Sequence, residues 1–317
     1  MKAITYNQYG DSEVLKLSDI PKPEPKGNQI LIKMMATTVN SADVRLRKAD
    51  PFLIRLAFGL FHPKKKVLGT VISGIVEQIG NEVTKFKVGD QVFGLNDLTM
   101  GTYAEFVLVT ETIPLFFKPS NINFEEAAAL VFGGHTALHF LKKANITKGQ
   151  KVLIYGASGS VGTSAVQLAK YYGAEVTAIC SQSNIQMLKN LGADHVIDYN
   201  TTDLSTLNKD FDVVYETVNK TKVETIAQLT RTNGVLILGA VIIIRLIQGM
   251  WIAKKRKLKL IAGVAEVNSD DLKFLGWLIE NKHLKPVIDK TYPLEQIRTS
   301  HQYVDLGHKK GNIVITL

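Results

Sequence analysis

Three glycines stand three residues apart, at 156, 159 and 162, within V-L-I-Y-G-A-S-G-S-V-G (152–162). Between an apolar run and a helical pattern, such a series suits the holding of a pyrophosphate. Gly156 permits a tight exit from a strand. Gly159 lets backbone approach a phosphate with no Cβ in the way, and Gly162 lets the next helix pack close to the strand. The helix N-terminus then offers free amides and a positive dipole end to the phosphates. Alone, G-x-x-G-x-x-G is a weak signal, because glycine also marks ordinary βα turns.

The flanking elements strengthen it. Residues 152–155 read as a strand, and Ala165, Val166, Leu168 and Ala169 give the next stretch a helical period up to Gly173. Strands then follow at 175–180, 195–199, 213–216 and 235–238, with helical stretches between them, one of them at 185–191. Such alternation predicts a doubly wound parallel sheet with helices on both faces, over residues 119–262. An NAD site usually has an acid roughly 20 residues beyond the glycines. Here 178–184 reads A-I-C-S-Q-S-N, without a carboxylate. Ser181 and Ser183 can donate to a 2′-phosphate that nothing repels, which favours NADP(H).

Other reactive residues carry less. His135 and His139 have a metal-compatible spacing on a predicted helix but no third ligand in the sequence, so they read as ordinary helix histidines. His135, beside Thr136, is a weak candidate for a proton donor. Cys180 is the single cysteine of 317 residues, which excludes a disulfide framework and a Cys-rich zinc site; it reads as a packed strand residue. The net charge is +9, with basic clusters at 64–66 and 254–257. Both clusters read as solvated loop or strand-start residues, with anionic lipid or nucleic acid as the lesser alternative. The longest apolar run, 235–244, has the length of a buried core segment and not of a membrane span. Residues 1–10 lack the apolar core of a signal peptide, and the chain reads as soluble and cytoplasmic.

From 1 to 118 short strands alternate with turn chemistry, P-K-P-E-P-K-G-N (21–28), G-N-E-V-T-K-F-K-V-G-D (80–90) and G-L-N-D (94–97). Strands are expected at 3–6, 30–39, 67–79, 91–93 and 103–109, as in a barrel-like β domain. Asn123, followed by Glu125 and Glu126, reads as a helix start. Beyond Gly263 come a helix (269–281), a strand (287–292), a helix (294–306) and a last strand (312–317). That strand can pair back, so the first domain (1–118) is completed by 263–317. Residues 45–66 and 241–257 read as loops.

Taken together, these segments resemble the medium-chain dehydrogenase/reductase superfamily, in its zinc-free quinone oxidoreductase-like branch. N-S-A-D-V-R-L-R (40–47), S-G-I-V-E-Q-I-G-N-E-V-T-K-F-K-V-G-D-Q-V-F-G (73–94), A-A-A-L-V-F-G-G-H-T-A-L (127–138), L-G-A-D-H-V-I-D-Y (191–199) and G-N-I-V-I (311–315) follow in the family's order across nearly the whole chain. The resemblance implies a GroES-like β-barrel domain beside a Rossmann domain. It implies that Ser158, Gly159, Ser160 and Val161 offer backbone amides to the pyrophosphate, that Ser181 and Tyr199 lie by the 2′-phosphate, Thr136 near the nicotinamide end, and Gly239 and Val264 in loops flanking the nicotinamide. Asn40 and Asp43 are implied at the substrate mouth, in the cleft between the domains, as the catalytic candidates. The Cys and His–Glu zinc ligands of related alcohol dehydrogenases have no counterpart, so no metal is expected. Two departures stand out: Val71 replaces the usual acid in G-T-V-I-S-G (69–74), and Asn312 a usual lysine.

The expected activity is an NADPH-dependent, zinc-independent reduction of a quinone or an α,β-unsaturated carbonyl. Asn40 is the candidate for steadying the oxyanion, and Asp43, a ribose relay or water for the proton. An enoyl-thioester reductase is the rival among enzymes. A non-catalytic NADPH-binding redox sensor, RNA-binding or membrane-associated protein is the rival outside them. The expected partner is a small quinone or enone, with no nucleic acid, peripheral membrane contact as a lesser reading, and a homodimer as the ordinary assembly.

Overall fold

The computed structural model describes residues 1–96, 99–239 and 243–317. Asp97 of the G-L-N-D turn and residues 240–242 of the apolar run lie outside the described residues. In chain order come β1 (Lys2–Thr5), β2 (Lys16–Asp19), β3 (Gln29–Val39), α1 (Ser41–Lys48), α2 (Ile54–Phe58), β4 (Val71–Ile79), β5 (Gln91–Leu95), β6 (Phe106–Thr110) and β7 (Leu115–Phe117). Then follow α3 (Phe124–Ala144), β8 (Lys151–Tyr155), α4 (Ser160–Tyr171), β9 (Glu175–Cys180), α5 (Ile185–Asn190), β10 (His195–Asp198), β11 (Phe211–Glu216), α6 (Val223–Leu229) and β12 (Thr230–Leu238). The chain closes with α7 (Ile243–Arg256), β13 (Lys259–Ala262), α8 (Ser269–Glu280), β14 (Ile288–Pro293), α9 (Ile297–Asp305) and β15 (Asn312–Thr316). Two compact units result. Unit 1 comprises Met1–Phe132, Val267–Lys282 and Pro286–Leu317, and unit 2 comprises Gly133–Glu266 with His283–Lys285.

In unit 1 the long strand β3 is the organiser. Its first half pairs antiparallel with β4 and with β6, and its second half with the terminal strand β15, Ile313 opposite Val39. Ile30, Ile32 and Met34, two apart on this strand, enter one apolar cluster with Val92, Val107 and Leu115. Val39 enters a second one with Leu15, Tyr103, Ile297 and Ile313. The expected strand at 67–79 starts only at Val71. Val67 makes an isolated bridge to Thr5, and Gly69 takes a φ of +90° where a Cβ would meet Thr102 and Tyr103.

In unit 2, among the described residues, six strands form a parallel sheet in the order β10-β9-β8-β11-β12-β13. The inner strands β8, β9 and β11 are short apolar runs, mostly buried because a parallel sheet is covered on its faces, while the edge strands β10 and β13 are half-buried. The chain steps from β8 outward through β9 to β10. It then returns to β11 on the other side of β8, so the order reverses between β8 and β11. Ligands of such sheets sit beyond the carboxyl ends of the strands, at that reversal.

Two stretches read as loops are partly helical. Segment 45–66 holds the second half of α1 and all of α2, and 241–257 holds α7. The apolar run 235–244 is not one buried piece. Leu236, Ile237 and Leu238 are buried in β12, whereas Ile243 and Ile244 open α7 largely exposed. Lys254, Lys255 and Arg256 therefore stand in the last turn of a helix, where cations suit the dipole, and not in a loop or at a strand start. The helix expected at 294–306 is a 3₁₀ turn, Leu294–Gln296, followed by α9. Among the described residues no helix is long and apolar enough to cross a membrane.

Candidate functional site

The glycine turn follows β8 in unit 2. Gly156 has φ +77°, and a Cβ there would come within 2.5 Å of Val218 and 2.7 Å of Thr217. Thr217 donates its hydroxyl to the carbonyls of Tyr155 and Gly156, fastening the turn to the end of β11. At Gly162 a Cβ would stand 2.3 Å from the Gly156 oxygen and 2.6 Å from the Ala157 Cα, so α4 lies directly on the turn. Gly159 differs. A Cβ there meets nothing nearer than 3.6 Å, so the protein itself leaves that side open. Gly159 is also the N-cap of α4, with no side chain capping it and no acid in the first turn. The amides of Ser160 and Val161 thus begin a twelve-residue helix whose positive end suits an anion.

The remaining candidates of unit 2 fall at the ends of neighbouring strands. Cys180 pairs with Asp198, so the next residues, Ser181 and Tyr199, leave adjacent strands side by side. Ser181 accepts from the Asn184 amide at 3.0 Å and lies 3.4 Å from the Ser183 hydroxyl. Tyr199 is 42% exposed, with its ring 6.4 Å from that of Tyr155 at the end of β8. The nearby carboxylate of Asp198 is buried and accepts from the backbone and side-chain amides of Asn200. The Asp198 carboxylate is thus engaged by its own loop, and the stretch 178–184 that meets it carries no acid. Burial, with Asp198 second, pushes the Cys180 thiol up to about 11, which keeps it protonated and packed.

Beyond β12, Gly239 donates its amide to the Glu216 carbonyl, and a Cβ there would strike the Tyr215 ring at 2.7 Å. Beyond β13, Val264 is 87% exposed. The segment after it is held by the two histidines of α3. His135 Nε2 lies 2.9 Å from the Glu266 carbonyl oxygen, and the Glu266 amide donates to His139 Nδ1. An N–H pointing at Nδ1 requires a lone pair there, so His139 serves as an acceptor. The pair is an anchor for the strand-end loop that carries Val264, a role that a four-residue spacing alone does not reveal. Thr136, half-buried, lies between them on α3, and Gly133 one turn earlier allows α3 to meet Ser160 of α4.

Sequence reasoning missed Glu216 and Arg245. Glu216 ends β11 fully buried, and its carboxyl is pushed up by burial, an effect that Arg245 and loop amides oppose. Its Oε1 accepts from the amides of Val218 and Lys220, and Oε2 lies 3.4 Å from Arg245 of α7. The pair shapes loop 217–220, beside the glycine turn. Twenty-nine positions of chain and the intervening β12 separate the two residues, so no local motif signals them.

In unit 1, Asn40 and Asp43 are mutually engaged. Asn40 Oδ1 accepts from the amides of Ala42 and Asp43, while Asp43 Oδ2 accepts from the Asn40 amide at 2.9 Å. That is a capping box opening α1. Asp43 is fully buried, and Tyr103 beside it has its phenol pushed well above the ordinary range. Burial is the first cause, then the charge of Asp43 and a hydrogen bond to it. Asp43 thus holds the start of α1 and the orientation of Asn40. Asn40 keeps its amide nitrogen as a donor, 3.4 Å from the Thr70 hydroxyl. Arg47, the last residue of the N-x-x-D-x-x-x-R segment, is fully buried and pairs with Asp305 at 2.7 Å. Val71 is buried in β4, and Asn312 donates to the Val287 carbonyl at 3.0 Å. Among the described residues no group of three or more His, Cys, Asp or Glu is placed to hold a metal ion.

A glycine turn at the reversal of a parallel sheet, with a separate β unit before it, defines a nucleotide-dependent dehydrogenase type. Comparison with known proteins agrees. Residues 26–119 match the alcohol dehydrogenase GroES-like domain, and 191–315 match a zinc-binding dehydrogenase domain. The chain is 33% identical to 2-methylene-furan-3-one reductase of Solanum lycopersicum, over 99% of this chain and 79% of that one. It is 31% identical to a chloroplastic NADPH-dependent alkenal/one oxidoreductase of Arabidopsis thaliana, with the same coverages. Among solved structures, the quinone oxidoreductase of Coxiella burnetii matches with a TM-score of 0.92 at 31% identity, over 100% of this chain and 99% of that one. The chain belongs to the quinone oxidoreductase-like branch of the medium-chain dehydrogenase/reductase superfamily.

Proposed function

We propose that this chain reduces a quinone or an α,β-unsaturated carbonyl at the expense of NADPH and without zinc. The relatives named above act in that class, and one observation carries the cofactor choice. Ser181 and Tyr199 leave adjacent strands, with Asp198 engaged by its own loop and no acid in 178–184, next to the uncapped start of α4. Gly159, Ser160 and Val161 hold the pyrophosphate with backbone amides. Ser181 and Tyr199 donate hydroxyls to the 2′-phosphate, and the Glu216-braced loop keeps the turn in place. Gly239 and the histidine-anchored segment with Val264 border the nicotinamide, with Thr136.

When bound, NADPH supplies the hydride that reduces the conjugated carbon. The chain steadies the charge that develops on the carbonyl oxygen. Asn40 is the donor for it, because the capping bonds to Oδ1 fix the orientation of the amide nitrogen. Asp43 holds Asn40 and α1, and water or a ribose hydroxyl delivers the proton.

Three assays with the purified protein test the activity: NADPH oxidation with a quinone, with a small enone and with an enoyl thioester. Turnover of the first two is the expected result. Tight NADPH binding with no turnover of any of them would remove the enzymatic reading, and turnover of the thioester alone would replace it. NADPH should bind at least about tenfold tighter than NADH, a difference of about 1.4 kcal/mol. Ser181→Asp should lower NADPH affinity about a hundredfold while sparing NADH, since it sets a carboxylate against the 2′-phosphate. Titrations of both cofactors check this; equal losses for the two would disconnect Ser181 from the phosphate.

Asn40→Ser separates cap from donor. A serine hydroxyl still caps α1 without setting a second charge beside buried Asp43, so thermal stability should fall little, while kcat falls about 10²–10³-fold through loss of the amide N–H. An unchanged kcat would remove Asn40 from the chemistry.

A further inference from the structure

Helix α7 has two unlike faces. Its inner face packs on unit 2 through Gly249, Ile252 and Ala253, and a Cβ at Gly249 would already touch Leu238 at 3.0 Å. The arginines of that side turn inward: Arg245 reaches the Thr221 carbonyl and pairs with Glu216, and Arg256 reaches the Ala227 carbonyl. The outer face is apolar. Ile243, Ile244, Ile247, Met250 and Trp251 recur at helical spacing and are each 56–68% exposed. Exposed apolar side chains are ordinary singly, but a contiguous row of five large ones marks a contact surface.

Charge identifies what the surface meets. The apolar row runs directly into exposed Lys254, Lys255 and Lys257, and Lys255 stands over the Trp251 ring at 5.2 Å. No acidic residue occurs between Glu224 and Glu266, whereas Arg231, Arg245, Lys254, Lys255, Arg256, Lys257 and Lys259 do. A contact with a second copy of this face about a two-fold axis would set two predominantly basic clusters, each with Glu224 as the acid by Trp251, in one small interface. An apolar row with a Trp, bordered by lysines, is instead complementary to an anionic lipid surface, where the ring sits at the headgroups and the ammoniums meet phosphates. The same pairing recurs within unit 1. Phe52, Leu53, Leu56, Leu60 and Phe61 are exposed and are followed by exposed Lys64, Lys65 and Lys66, with no acid between Asp50 and Glu77.

We propose that the outer face of α7 docks on the surface of an anionic lipid bilayer. Ile244, Ile247 and Trp251 enter the headgroup–acyl boundary, and Lys254 and Lys255 bind lipid phosphates. The contact is peripheral, and the rest of unit 2 stays in water.

Sedimentation of the full chain with vesicles tests this. The protein should bind phosphatidylcholine vesicles containing phosphatidylglycerol, bind pure phosphatidylcholine far less, and come off as salt is raised. Binding should shift tryptophan emission to the blue, and Trp251→Phe should abolish the shift, leaving Trp277 as a silent background. Ile244→Glu/Ile247→Glu and Lys254→Gln/Lys255→Gln should each weaken binding about tenfold or more, with NADPH binding unchanged and the thermal transition little moved. Failure of the wild type to bind anionic vesicles overturns the proposal, as does undiminished binding by the double-Glu isoleucine variant. A wild-type dimer that the same variant splits, with no vesicle binding, assigns the face to a second copy and also overturns it.

Discussion

Gly162→Ala is expected to abolish measurable NADPH binding and to destabilise unit 2 by about 1–3 kcal/mol. The added Cβ would stand 2.3–2.7 Å from three backbone atoms of Gly156 and Ala157. Backbone of a tight turn cannot swing aside as a side chain can, so α4 must move away from β8. That motion carries off the amides of Ser160 and Val161, which act on a phosphate only within hydrogen-bond reach. Gly159→Ala is the informative partner. Its Cβ meets no protein atom nearer than 3.6 Å, so stability should fall by no more than about 1 kcal/mol, the scale of an N-cap change. Cofactor affinity should nevertheless drop, because the side left open by the protein is the side the pyrophosphate uses. Thermal unfolding without cofactor and NADPH titration of both variants give the two readings. Wild-type affinity in Gly159→Ala would move the pyrophosphate away from this turn.

The contrast between these glycines shows what was legible in the sequence. Strand, turn and helix were readable because apolar period and glycine spacing are local, and the strand ends that carry Ser181, Tyr199 and Gly239 followed from the alternation. The β domain was readable in the same way, from β-branched runs and turn residues. What stayed hidden has physical reasons. Helix α7 was masked because the apolar run from Val235 passes from a buried strand to an exposed helix face without a change in residue type. Periodicity cannot divide a run in which inside and outside are both isoleucine. At Asn40 the motif was visible, but its spacing also spells a capping box, and the cap is the role the geometry displays for Asp43. The histidines of α3 answer to the backbone of Glu266, 127 to 131 residues on, a partner that no local pattern announces.

Arg47→Ala is expected to cost unit 1 about 3–5 kcal/mol, because it empties the space of a fully buried large side chain and removes its bonds to the Gly10 carbonyl and to the partly exposed Asp305. Arg47 fastens three pieces that are far apart in sequence. Its Nε donates to the Gly10 carbonyl, its Nη2 to Asp305 at the end of α9, and its own backbone belongs to α1. Arg47→Met keeps most of the volume and leaves Lys48, 2.8 Å from Asp305, to hold the carboxylate, so its cost should be clearly smaller. The loss should also depend on pH with a definite sign. Partial burial raises the Asp305 carboxyl, but hydrogen bonds and charge from Arg47 and Lys48 bring it net below the ordinary value. A depressed carboxyl stabilises the fold above its unfolded value of about 3.9 and loses that contribution as pH falls through the folded value. His301, buried against the Tyr103 ring, is pushed down to about 3 by burial and then by Arg47. Unfolded histidine takes a proton near pH 6.5, so this residue too withdraws stability from the wild type on acidification. Removing the Arg47 charge relaxes both shifts, so the stability gap between wild type and Arg47→Ala should hold from pH 7 to about pH 5 and narrow from there to about pH 3, where the variant's folded state takes up protons before the wild type's does. Denaturant unfolding of the two proteins across that range measures it. A gap of constant size would mean that Arg47 contributes volume and packing alone, and that its charge is not what binds α1 to α9.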